Sequence, residues 1–408
     1  MTRHVVIVGA GHGGVSLCAA LRALDFAGTI TLLSDEADLP YHRPPLSKAF
    51  LTNDTPDAES KLLLESRSFY DEKRIDLRLS TRVSALDTQA RTLQLADGSL
   101  VPYDELVLAT GARARNLTLP GSTLEGILLL RTLEHARILR QRLSSSESIV
   151  IVGGGFIGLE IAATARKLGK QVTVLETASR IMERSVSPEV SAYVTGKHRE
   201  KGITLQFNST VNAFLGDNGK VVAVRTEAGE WPADLVIVGA GSLPNSELAE
   251  AAGIACSNGI LVDVRMRTSA QHVFAIGDCV TFENRYADNA RLRLESIQNA
   301  NDQARLVARL IIGEDTGYEA LPWFWSDQGE VKLQMVGLSI GRTHCVTRGD
   351  PEQGRFSVFH YRDSTLIAVD SVNQPLEHIL SRKLLAAGIS PDPTLIADAG
   401  IALKSLLD

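Results

Sequence analysis

The stretch Val5-Val-Ile-Val-Gly9-Ala-Gly11-His-Gly-Gly14 decides the fold of this chain. It starts as a short apolar strand and runs into a G-x-G-x-x-G turn, a pattern that joins a strand to a helix in dinucleotide-binding folds. The first glycine permits a tight turn, the second lets the backbone approach a pyrophosphate, and the third lets the helix pack close to the strand. The free N–H groups at the start of the helix favour phosphate oxygens.

The residues after this turn complete a β-α-β unit. A helical stretch runs through Leu24, and an apolar strand follows at Thr29–Ser34. In such a unit a carboxylate near the end of the second strand accepts hydrogen bonds from the ribose hydroxyls. Asp35 stands there, 21 residues after Gly14, with Glu36 beside it. Together with Gly13, these residues predict one dinucleotide site.

The same plan recurs later in the chain. Its parts are the strand Ile149–Val152, the turn Gly153-Gly-Gly155-Phe-Ile-Gly158, a helix to Leu168 and the strand Gln171–Leu175. Glu176 follows, 18 residues after Gly158. A lone G-x-G-x-x-G is weak evidence, but two in strand–turn–helix–strand context, each with its acid, are strong evidence. The chain is therefore predicted to hold two dinucleotides on two parallel sheets that arose by internal duplication.

Glu176 also bears on the choice of the second dinucleotide. Its carboxylate can accept hydrogen bonds from an adenosine ribose diol and would repel a 2′-phosphate, which predicts NADH over NADPH. Arg180 and Arg184 lie close by in sequence, and an arginine there can pair with that phosphate. The interpretation of both as solvated surface charges is favoured.

Composition limits the function classes. A chain of 408 residues suggests two to three domains. With 44% hydrophobic and 22% charged residues it is globular, and a net charge of −6 argues against nucleic acid as a general partner. No apolar run reaches the roughly 18 residues that a membrane span needs. Met1 is followed almost at once by an apolar strand, which leaves no room for a signal peptide.

The cysteines and histidines favour neither a disulfide framework nor a metal site. Cys18, Cys256, Cys279 and Cys345 are far apart in sequence and form no C-x-x-C, so a redox-active dithiol of adjacent cysteines is disfavoured. The nine histidines show no metal-ligand spacing. A reducing, cytoplasmic location fits this composition best.

Glycine- and proline-rich segments divide the chain. Breaks fall at Ala109-Thr-Gly-Ala-Arg113, at Gly239-Ala-Gly-Ser-Leu-Pro-Asn245 and near Leu321-Pro322. The predicted domains are 1–113 with 242–320, 114–241, and 321–408. The last is an α+β domain of about 85 residues. Its predicted elements are the strands Lys332–Leu338, Arg355–Tyr361 and Leu366–Val372 and the helix Leu376–Ala387.

Further segments carry a resemblance to a known family. They are Tyr41-His-Arg-Pro-Pro-Leu-Ser-Lys48, Ala109-Thr-Gly111, Leu130-Arg-Thr-Leu133, Phe274-Ala-Ile-Gly-Asp278 and Pro322-Trp-Phe-Trp-Ser-Asp-Gln328. With both glycine turns, they make the whole chain resemble the FAD-dependent pyridine-nucleotide ferredoxin reductases of Rieske-type oxygenase and class I cytochrome P450 systems. The resemblance implies an α/β fold of the glutathione-reductase type, with tandem Rossmann-like FAD and NAD domains and a C-terminal α+β domain.

The resemblance assigns the first glycine turn to FAD and the second to NADH. It also implies FAD contacts at Lys48, Val83, Arg131, Asp278 and Ile297. The predicted role of Asp278 also has a physical basis. This residue follows the apolar strand His272–Ile276, and its carboxylate can reach a ribityl hydroxyl from the end of that strand. Without the family, a helix-capping role for this aspartate competes at even odds.

Three residues are implied to lie near the flavin. Lys48 and Glu160 resemble a salt bridge beside flavin N5 and the nicotinamide, where partly buried charges need each other. The alternative is a lysine and a glutamate at unrelated surface positions. Trp323 and Trp325 are predicted in the first loop of the tail domain, and the family places the Trp325 indole near the flavin face. Two core tryptophans are the alternative.

The absence of a cysteine near position 43 indicates the class of electron acceptor. Relatives that reduce peroxide or oxygen carry a cysteine near position 43, whereas this chain reads Tyr41-His-Arg-Pro-Pro45. The remaining acceptor is a protein carrier, a [2Fe–2S] ferredoxin that feeds a terminal oxygenase. An NADH oxidase or peroxidase, a rubredoxin reductase and a flavin-bound signalling protein are the alternatives. Candidate docking cations, each more often a plain surface charge, are Arg305, Arg309, Lys332, Arg342 and Arg348. A monomer is expected.

Overall fold

A computed structural model describes residues 3–407. The helices are α1 His12–Ala23, α2 Ala49–Thr52, α3 Arg67–Glu72, α4 Leu133–Ser145, α5 Phe156–Lys167, α6 Pro188–Glu200, α7 Glu247–Ala251, α8 Ile297–Ile311, α9 Pro375–Ala387 and α10 Pro393–Ala397. Short 3-10 turns occur at Pro44–Ser47, Ser60–Leu62, Gly277–Cys279, Arg285–Ala287 and Leu403–Leu406.

The strands follow the same chain order. They are β1 His4–Val8, β2 Thr29–Leu33, β3 Ile75–Arg78, β4 Val83–Asp87, β5 Thr92–Leu95, β6 Leu100–Pro102, β7 Glu105–Leu108, β8 Ala112–Ala114, β9 Ile127–Leu128, β10 Ser148–Val152, β11 Gln171–Leu175, β12 Thr204–Gln206 and β13 Val211–Asp217. The second half holds β14 Lys220–Thr226, β15 Gly229–Pro232, β16 Leu235–Val238, β17 Ser242–Pro244, β18 Ile260–Leu261, β19 Val273–Ala275, β20 Val280–Asn284, β21 Ala290–Leu292, β22 Trp323–Gln328, β23 Val331–Gly337, β24 His344–Asp350, β25 Arg355–Arg362 and β26 Thr365–Val372.

The chain forms two compact units. The first unit comprises the chain up to His42, Glu59–Arg113 and Ser242–Ala320. The second unit comprises Arg43–Ala58, Ala114–Gly241 and the chain from Leu321 onward. Each unit is described by itself below. The assignment of the predicted domains to FAD, NAD and the tail stays a prediction.

A five-stranded parallel sheet organises the first unit. Its strand order is β19-β7-β1-β2-β3, with Val5 of β1 paired to Ile30 of β2 and to Glu105 of β7. The strands are short runs of Val, Ile and Leu because both sheet faces are covered. Helix α1 connects β1 to β2 and packs against α8. The sheet thus brings the ends of β1, β7 and β19 to one edge.

The second unit repeats this arrangement. Its parallel sheet has the order β12-β11-β10-β16-β9, and α5 connects β10 to β11. In both sheets the strand that ends in the glycine turn lies in the middle, between the next strand of its β-α-β unit and a later return strand. The tandem Rossmann-like fold predicted from the sequence is confirmed.

The C-terminal part of the second unit is an antiparallel sheet with one helix packed on it. The strand order is β22-β23-β26-β25-β24, and α9 lies against β23 and β26. Val336, Phe359, Val369 and Leu384 form part of the core between sheet and helix. The α+β prediction is confirmed, with three predicted strands found as β23, β25 and β26.

Two strands of this sheet were not predicted. The loop predicted around Trp323 and Trp325 is wrong, because both residues lie in strand β22. Strand β24 was missed as well. Both are edge strands of the sheet. Edge strands carry polar and charged residues that block further pairing, so their hydrophobic alternation is weak.

Residues 3–407 include no helix that has both the length and the apolar character to cross a membrane.

Candidate functional site

The glycine turn of the first unit is a cradle with one open side. A Cβ on Gly9 would lie 2.2 Å from the carbonyl oxygen of Ala109, and one on Gly14 would lie 2.1 Å from the carbonyl oxygen of Gly9. Gly9 also has φ +112°, which favours glycine. At Gly11, by contrast, a Cβ would meet no atom within 4 Å. The turn is therefore closed against its own backbone and open where a pyrophosphate has to approach.

The second glycine turn has the same geometry. A Cβ on Gly153 would lie 2.4 Å from the carbonyl oxygen of Gly239, and one on Gly158 would lie 2.3 Å from that of Gly153. Gly155 faces open space, as Gly11 does. The two cradles are geometrically equivalent.

The helices that start at these turns leave their first N–H groups available. Gly11 caps α1 and Gly155 caps α5, and neither cap supplies a side-chain hydrogen bond. Neither first turn contains an acidic residue. Unsatisfied N–H groups and the positive end of the helix dipole suit a phosphate anion. Both cradles therefore fit the pyrophosphate of a dinucleotide.

The acid of the second cradle is fixed in place. Glu176 Oε2 accepts a hydrogen bond of 2.6 Å from the backbone N–H of Gly154, and Oε1 accepts one of 2.8 Å from that of Ala178. Arg180 donates to the backbone carbonyls of Glu183, Val186 and Ser187, while Arg184 is exposed. The guanidinium of Arg180 thus braces its own loop.

The acids of the first cradle are arranged differently. Asp35 lies two residues beyond the end of β2 and is exposed. Its neighbour Glu36 accepts a hydrogen bond from the hydroxyl of Tyr41. Asp35 is therefore accessible to a ribose, and Glu36 is engaged within the first unit.

Asp278 lies at the carboxyl edge of the sheet that carries the first cradle. It sits in the 3-10 turn Gly277–Cys279 directly after β19, a strand shorter than the predicted His272–Ile276. The backbone N–H of Gly277 donates to the side-chain oxygen of Gln303 at 2.7 Å, which holds the turn against α8. Ligands of parallel α/β sheets bind at this edge.

Two more predicted cofactor contacts belong to the first unit, and two to the second. Val83 begins β4 and Ile297 begins α8, and both are partly exposed. In the second unit Arg131 precedes α4, and its carbonyl oxygen accepts a hydrogen bond of 2.8 Å from Arg43. Lys48 follows the 3-10 turn Pro44–Ser47. The roles of all four toward FAD stay predictions.

Lys48 and Glu160 form an ion pair in the second unit. Nζ of Lys48 lies 2.8 Å from Oε2 of Glu160, and the side chains are 23% and 7% exposed. Glu160 lies on α5, two residues after Gly158. Because a buried carboxylate is costly unless it is paired and hydrogen-bonded, this lysine stabilises the charge. Its place beside a flavin stays a prediction.

Two serines complete the environment of this carboxylate. Ser47 donates to Oε2 of Glu160 and Ser326 donates to Oε1, each at 2.6 Å. Thr164, one helical turn further along α5, donates to the carbonyl oxygen of Ser47 at 2.9 Å. Gln328 donates to the hydroxyl of Ser326 at 2.8 Å. The sequence reasoning singled out neither serine, although Ser47 adjoins Lys48 in the Pro-Pro-Leu-Ser-Lys segment.

Strand β22 separates two sets of side chains. Ser326 and Phe324 share one face, where the Phe324 ring lies 4.9 Å from that of Phe156 at the start of α5. Trp323 and Trp325 share the other face, with ring centroids 5.4 Å apart. Adjacent residues of a strand point to opposite faces. The structure therefore does not place Trp325 on the side of β22 that contacts Glu160, and its role at the flavin face stays a prediction.

One candidate docking cation is misassigned. Arg348 is buried and pairs with Glu377 at 2.9 Å, and it also donates to the carbonyl oxygens of Ile396, Asp398 and Ile401. It ties α10 and the segment after it to β24, so it offers no surface charge. Arg305 and Arg309 are exposed, but they pair with Asp302 and Glu314. Lys332 is exposed, and Arg342 is partly exposed.

Within residues 3–407 the cysteines form no disulfide, and no side-chain cluster fits a metal ion. All four cysteines are free, and Cys18 and Cys279 are fully buried. Burial raises the pKa of the Cys18 thiol to about 12. No group of three or more His, Cys, Asp or Glu side chains in residues 3–407 is arranged to hold a metal ion.

Two equivalent dinucleotide cradles on tandem parallel sheets define an oxidoreductase that works with two dinucleotides. The chain belongs to the pyridine nucleotide-disulphide oxidoreductase family, whose sequence profile matches residues 3–304. A second profile, described as the reductase C-terminal domain, matches residues 323–407. The cofactors are FAD and a nicotinamide dinucleotide.

Several relatives match along their whole length. Rhodocoxin reductase of Rhodococcus erythropolis is 43% identical over 402 residues, which cover 98% of this chain and 93% of the relative. The ferredoxin reductase for the CYP199A2 system of Rhodopseudomonas palustris superposes with a TM-score of 0.97 at 42% identity, covering 100% of both chains. The reductase in the covalent putidaredoxin reductase–putidaredoxin complex gives a TM-score of 0.95 at 40% identity, covering 99% of this chain and 98% of that chain.

Proposed function

We propose that this enzyme is an NADH-dependent ferredoxin reductase. It takes hydride from NADH and delivers single electrons to a [2Fe–2S] ferredoxin, which feeds a Rieske-type oxygenase or a cytochrome P450. The observation that carries the proposal is the full-length similarity to a reductase solved in a covalent complex with putidaredoxin. The cysteines agree with it, because the four within residues 3–407 are all free and form no disulfide that could pass electrons on.

The two cradles divide the cofactors between them. The first cradle, with Gly9, Gly11, Gly13, Gly14 and Asp35, binds FAD. Asp278, Val83 and Ile297 of the same unit contribute to FAD binding, and the family resemblance supports the same role for Lys48 and Arg131. Asp278 supports this assignment, because it follows β19 at the carboxyl edge of the sheet, and the first cradle follows β1 at the same edge.

The second cradle binds NADH. Gly155 faces the pyrophosphate, Gly153 and Gly158 let the turn close on its own backbone, and Glu176 accepts hydrogen bonds from the adenosine ribose. Because Glu176 is held at the turn by the backbone N–H of Gly154, its negative charge stays where a 2′-phosphate would lie. The guanidinium of Arg180 is engaged by backbone carbonyls, so it does not offset that charge.

The buried ion pair serves the reacting end of the nicotinamide. Bound FAD supplies the chemistry that turns a two-electron donor into a source of single electrons. Lys48 and Glu160 then hold a fixed charge beside the flavin and the incoming nicotinamide, while Ser47 and Ser326 keep the carboxylate in one orientation. The role of Trp325 at the flavin face is supported by the family resemblance alone, because its indole lies on the face of β22 opposite to Ser326. A preorganised charge of this kind costs no rearrangement during the reaction.

The acceptor is tested by NADH-dependent reduction of cytochrome c with the purified holoenzyme. Putidaredoxin and a rubredoxin are added in separate assays, and hydrogen peroxide formation is measured in parallel. We expect putidaredoxin, as a [2Fe–2S] probe, to raise the rate at least roughly tenfold, since the flavin alone reduces cytochrome c slowly. A free-flavin control defines the background.

The other outcomes decide between the alternatives. Stimulation by rubredoxin alone indicates a rubredoxin reductase, and the similarity of this chain extends to reductases named for that carrier. If neither carrier raises the rate and peroxide or water accounts for all NADH consumed, the enzyme is an oxidase or peroxidase and the proposal is wrong. Replacement of NADH by NADPH in the same assay tests the donor.

We further propose a cytoplasmic location and a monomeric state. NADH is available in that compartment, and the free cysteines stay reduced there. Fractionation of cells that express the chain and light scattering of the purified holoenzyme test these two points.

A further inference from the structure

One edge of the C-terminal sheet brings a cysteine, a histidine and an aspartate into line. Cys345 lies on the edge strand β24, and its cross-strand neighbour on β25 is His360. Sγ of Cys345 lies 3.4 Å from Nδ1 of His360. Nε2 of the same ring lies 2.9 Å from Oδ2 of Asp370 on β26. Three adjacent strands thus place the three side chains in a row on one face of the sheet.

The row is buried at one end and accessible at the other. His360 is fully buried and Asp370 nearly so, whereas Cys345 is partly exposed. Oδ2 of Asp370 also accepts a hydrogen bond of 2.9 Å from the backbone N–H of Ser187, at the start of α6. The carboxylate is therefore fixed from a second side, and the imidazole between it and the thiol has one orientation.

This arrangement favours a protonated imidazole. Burial by itself lowers the pKa of His360, but the charge and hydrogen bond of Asp370, together with the contact to Cys345, outweigh that effect and raise the pKa to about 9. In the protonated ring Nε2–H donates to the carboxylate and Nδ1–H donates to the sulfur, the two atoms that the ring nitrogens contact. A cationic donor aimed at a thiol stabilises negative charge on the sulfur.

The other three cysteines lack this environment. Cys18 and Cys279 are fully buried. Cys256 is partly exposed like Cys345, but burial raises the pKa of its thiol to about 11. A metal site does not account for the row, because His360 lies between the other two residues and each of its nitrogens is committed to one of them.

We propose that Cys345 is a redox modification site that reacts with hydroperoxides, with His360 as proton donor and Asp370 as its positioning residue. The thiol releases its proton to solvent, and the thiolate sulfur then attacks one peroxide oxygen, so that an S–O bond forms and the O–O bond breaks. The sulfur gives two electrons to the peroxide and becomes a sulfenic acid. The departing hydroxide or alkoxide takes the Nδ1 proton of His360, which the imidazole regains from solvent. The proposal is independent of the electron acceptor of the enzyme.

The site is tested on the reduced holoenzyme after removal of the reductant. The protein is exposed to hydrogen peroxide in the presence of dimedone, which traps sulfenic acids, and each cysteine peptide is quantified by mass spectrometry. At about pH 6.5 we expect Cys345 to be labelled at least roughly tenfold faster than Cys256. Cys345→Ser removes this label and leaves the Cys256 peptide unchanged.

Two variants test the roles of the partners. His360→Gln and Asp370→Asn are expected to slow alkylation of Cys345 by iodoacetamide roughly tenfold at about pH 6.5, with a smaller loss at about pH 10. Ser357→Ala is the matched control. Ser357 lies on the same strand as His360, is equally buried and bonds to Ser371 at 3.1 Å, but its side chain points to the opposite face of the strand from His360.

Two results overturn the proposal. One is equal labelling of Cys345 and Cys256 in the unsubstituted enzyme, a comparison that needs no variant to fold. The other is an unchanged alkylation rate at about pH 6.5 in His360→Gln or Asp370→Asn protein that retains its flavin absorbance. A loss of reactivity in Ser357→Ala equal to that in His360→Gln also contradicts it, because the effect then belongs to the strand as a whole.

Discussion

Helices α1 and α5 have the same length and the same place in their units, yet they serve different purposes. Each has 12 residues, begins after a glycine cradle and leaves its first N–H groups to a phosphate. Seven residues after the first glycine of its cradle, however, α1 has Ser16 and α5 has Glu160. The duplicated geometry binds a dinucleotide in each unit, whereas a single substitution on the helix gives the second copy a buried charge.

The acids after the second strand differ in the same way. Asp35 is exposed, while Glu176 is tied to the backbone of its own turn. The second copy therefore presents a more fixed electrostatic environment than the first. This agrees with a first site that holds its cofactor permanently and a second that selects and releases a diffusing one. Variants of the glycine cradles test the geometry that the two copies share, and variants at the ion pair of Glu160 and at Glu176 test the differences between them.

The largest expected effect comes from closing one cradle at a time. In Gly14→Ala the new Cβ lies 2.1 Å from the Gly9 carbonyl oxygen, and in Gly158→Ala it lies 2.3 Å from that of Gly153. Both turns must shift, which costs about 1–3 kcal/mol in packing and displaces the N–H groups. We expect Gly14→Ala protein to be purified without flavin, and Gly158→Ala protein to retain flavin but to require at least roughly tenfold more NADH, since 1.4 kcal/mol is a factor of ten.

Flavin content is read from the visible absorbance and the NADH requirement from steady-state kinetics. Gly196→Ala is the control, because its Cβ meets no atom within 4 Å inside helix α6. The reverse outcome, with flavin lost in Gly158→Ala and kept in Gly14→Ala, would mean that the two cradles are assigned in the wrong order.

The comparison also shows what a sequence reveals. Strand β11 was predicted and found with the same bounds, Gln171–Leu175, because the β-branched and apolar residues Val172, Val174 and Leu175 that it buries lie close together in the sequence. The cradles were found because glycine is required where backbone meets backbone. Such features are local, and their signal lies within a few residues of the chain.

The parts that were missed depend on distant neighbours. Ser47 and Ser326 lie 113 and 166 positions from Glu160, and no local pattern reports such a contact. Arg348 looked like a surface charge, but its carboxylate and carbonyl partners are 29 to 53 positions away. The edge strands β22 and β24 were not predicted for a related reason. Their polar residues are explained by their position at the edge of the sheet, which the local sequence does not reveal.

The second prediction concerns the charge that α5 has and α1 lacks. Lys48→Ala removes the cation from Glu160 but leaves the hydroxyls of Ser47 and Ser326 in place. We expect the rate of flavin reduction by NADH to fall roughly 10- to 100-fold, because the nicotinamide loses a fixed neighbour that orients it. Stopped-flow absorbance under anaerobic conditions measures the rate.

The matched control is Lys197→Ala. Lys197 also pairs with a glutamate at 2.8 Å in the second unit, but the two side chains are 36% and 63% exposed, so the pair is worth little. An unchanged reduction rate in Lys48→Ala would show that the ion pair has no role in the reduction of the flavin. An equal loss in both variants would instead point to the net charge of the protein.

The smallest expected effect concerns the acid of the second cradle. Glu176→Ala removes the proposed acceptor for the ribose hydroxyls and the bond to the N–H of Gly154. Since a hydrogen bond to a charged group contributes about 1.5–3 kcal/mol, we expect kcat/KM for NADH to fall roughly tenfold or more. The value for NADPH should fall less or rise, because the repulsion of the 2′-phosphate is gone. The ratio of kcat/KM for NADH to kcat/KM for NADPH is the measurement.

Glu183→Ala is the matched control. It removes an exposed carboxylate from the same loop and should leave the ratio unchanged. If it lowers the ratio as much, the preference arises from the overall charge of the loop and not from a contact of Glu176.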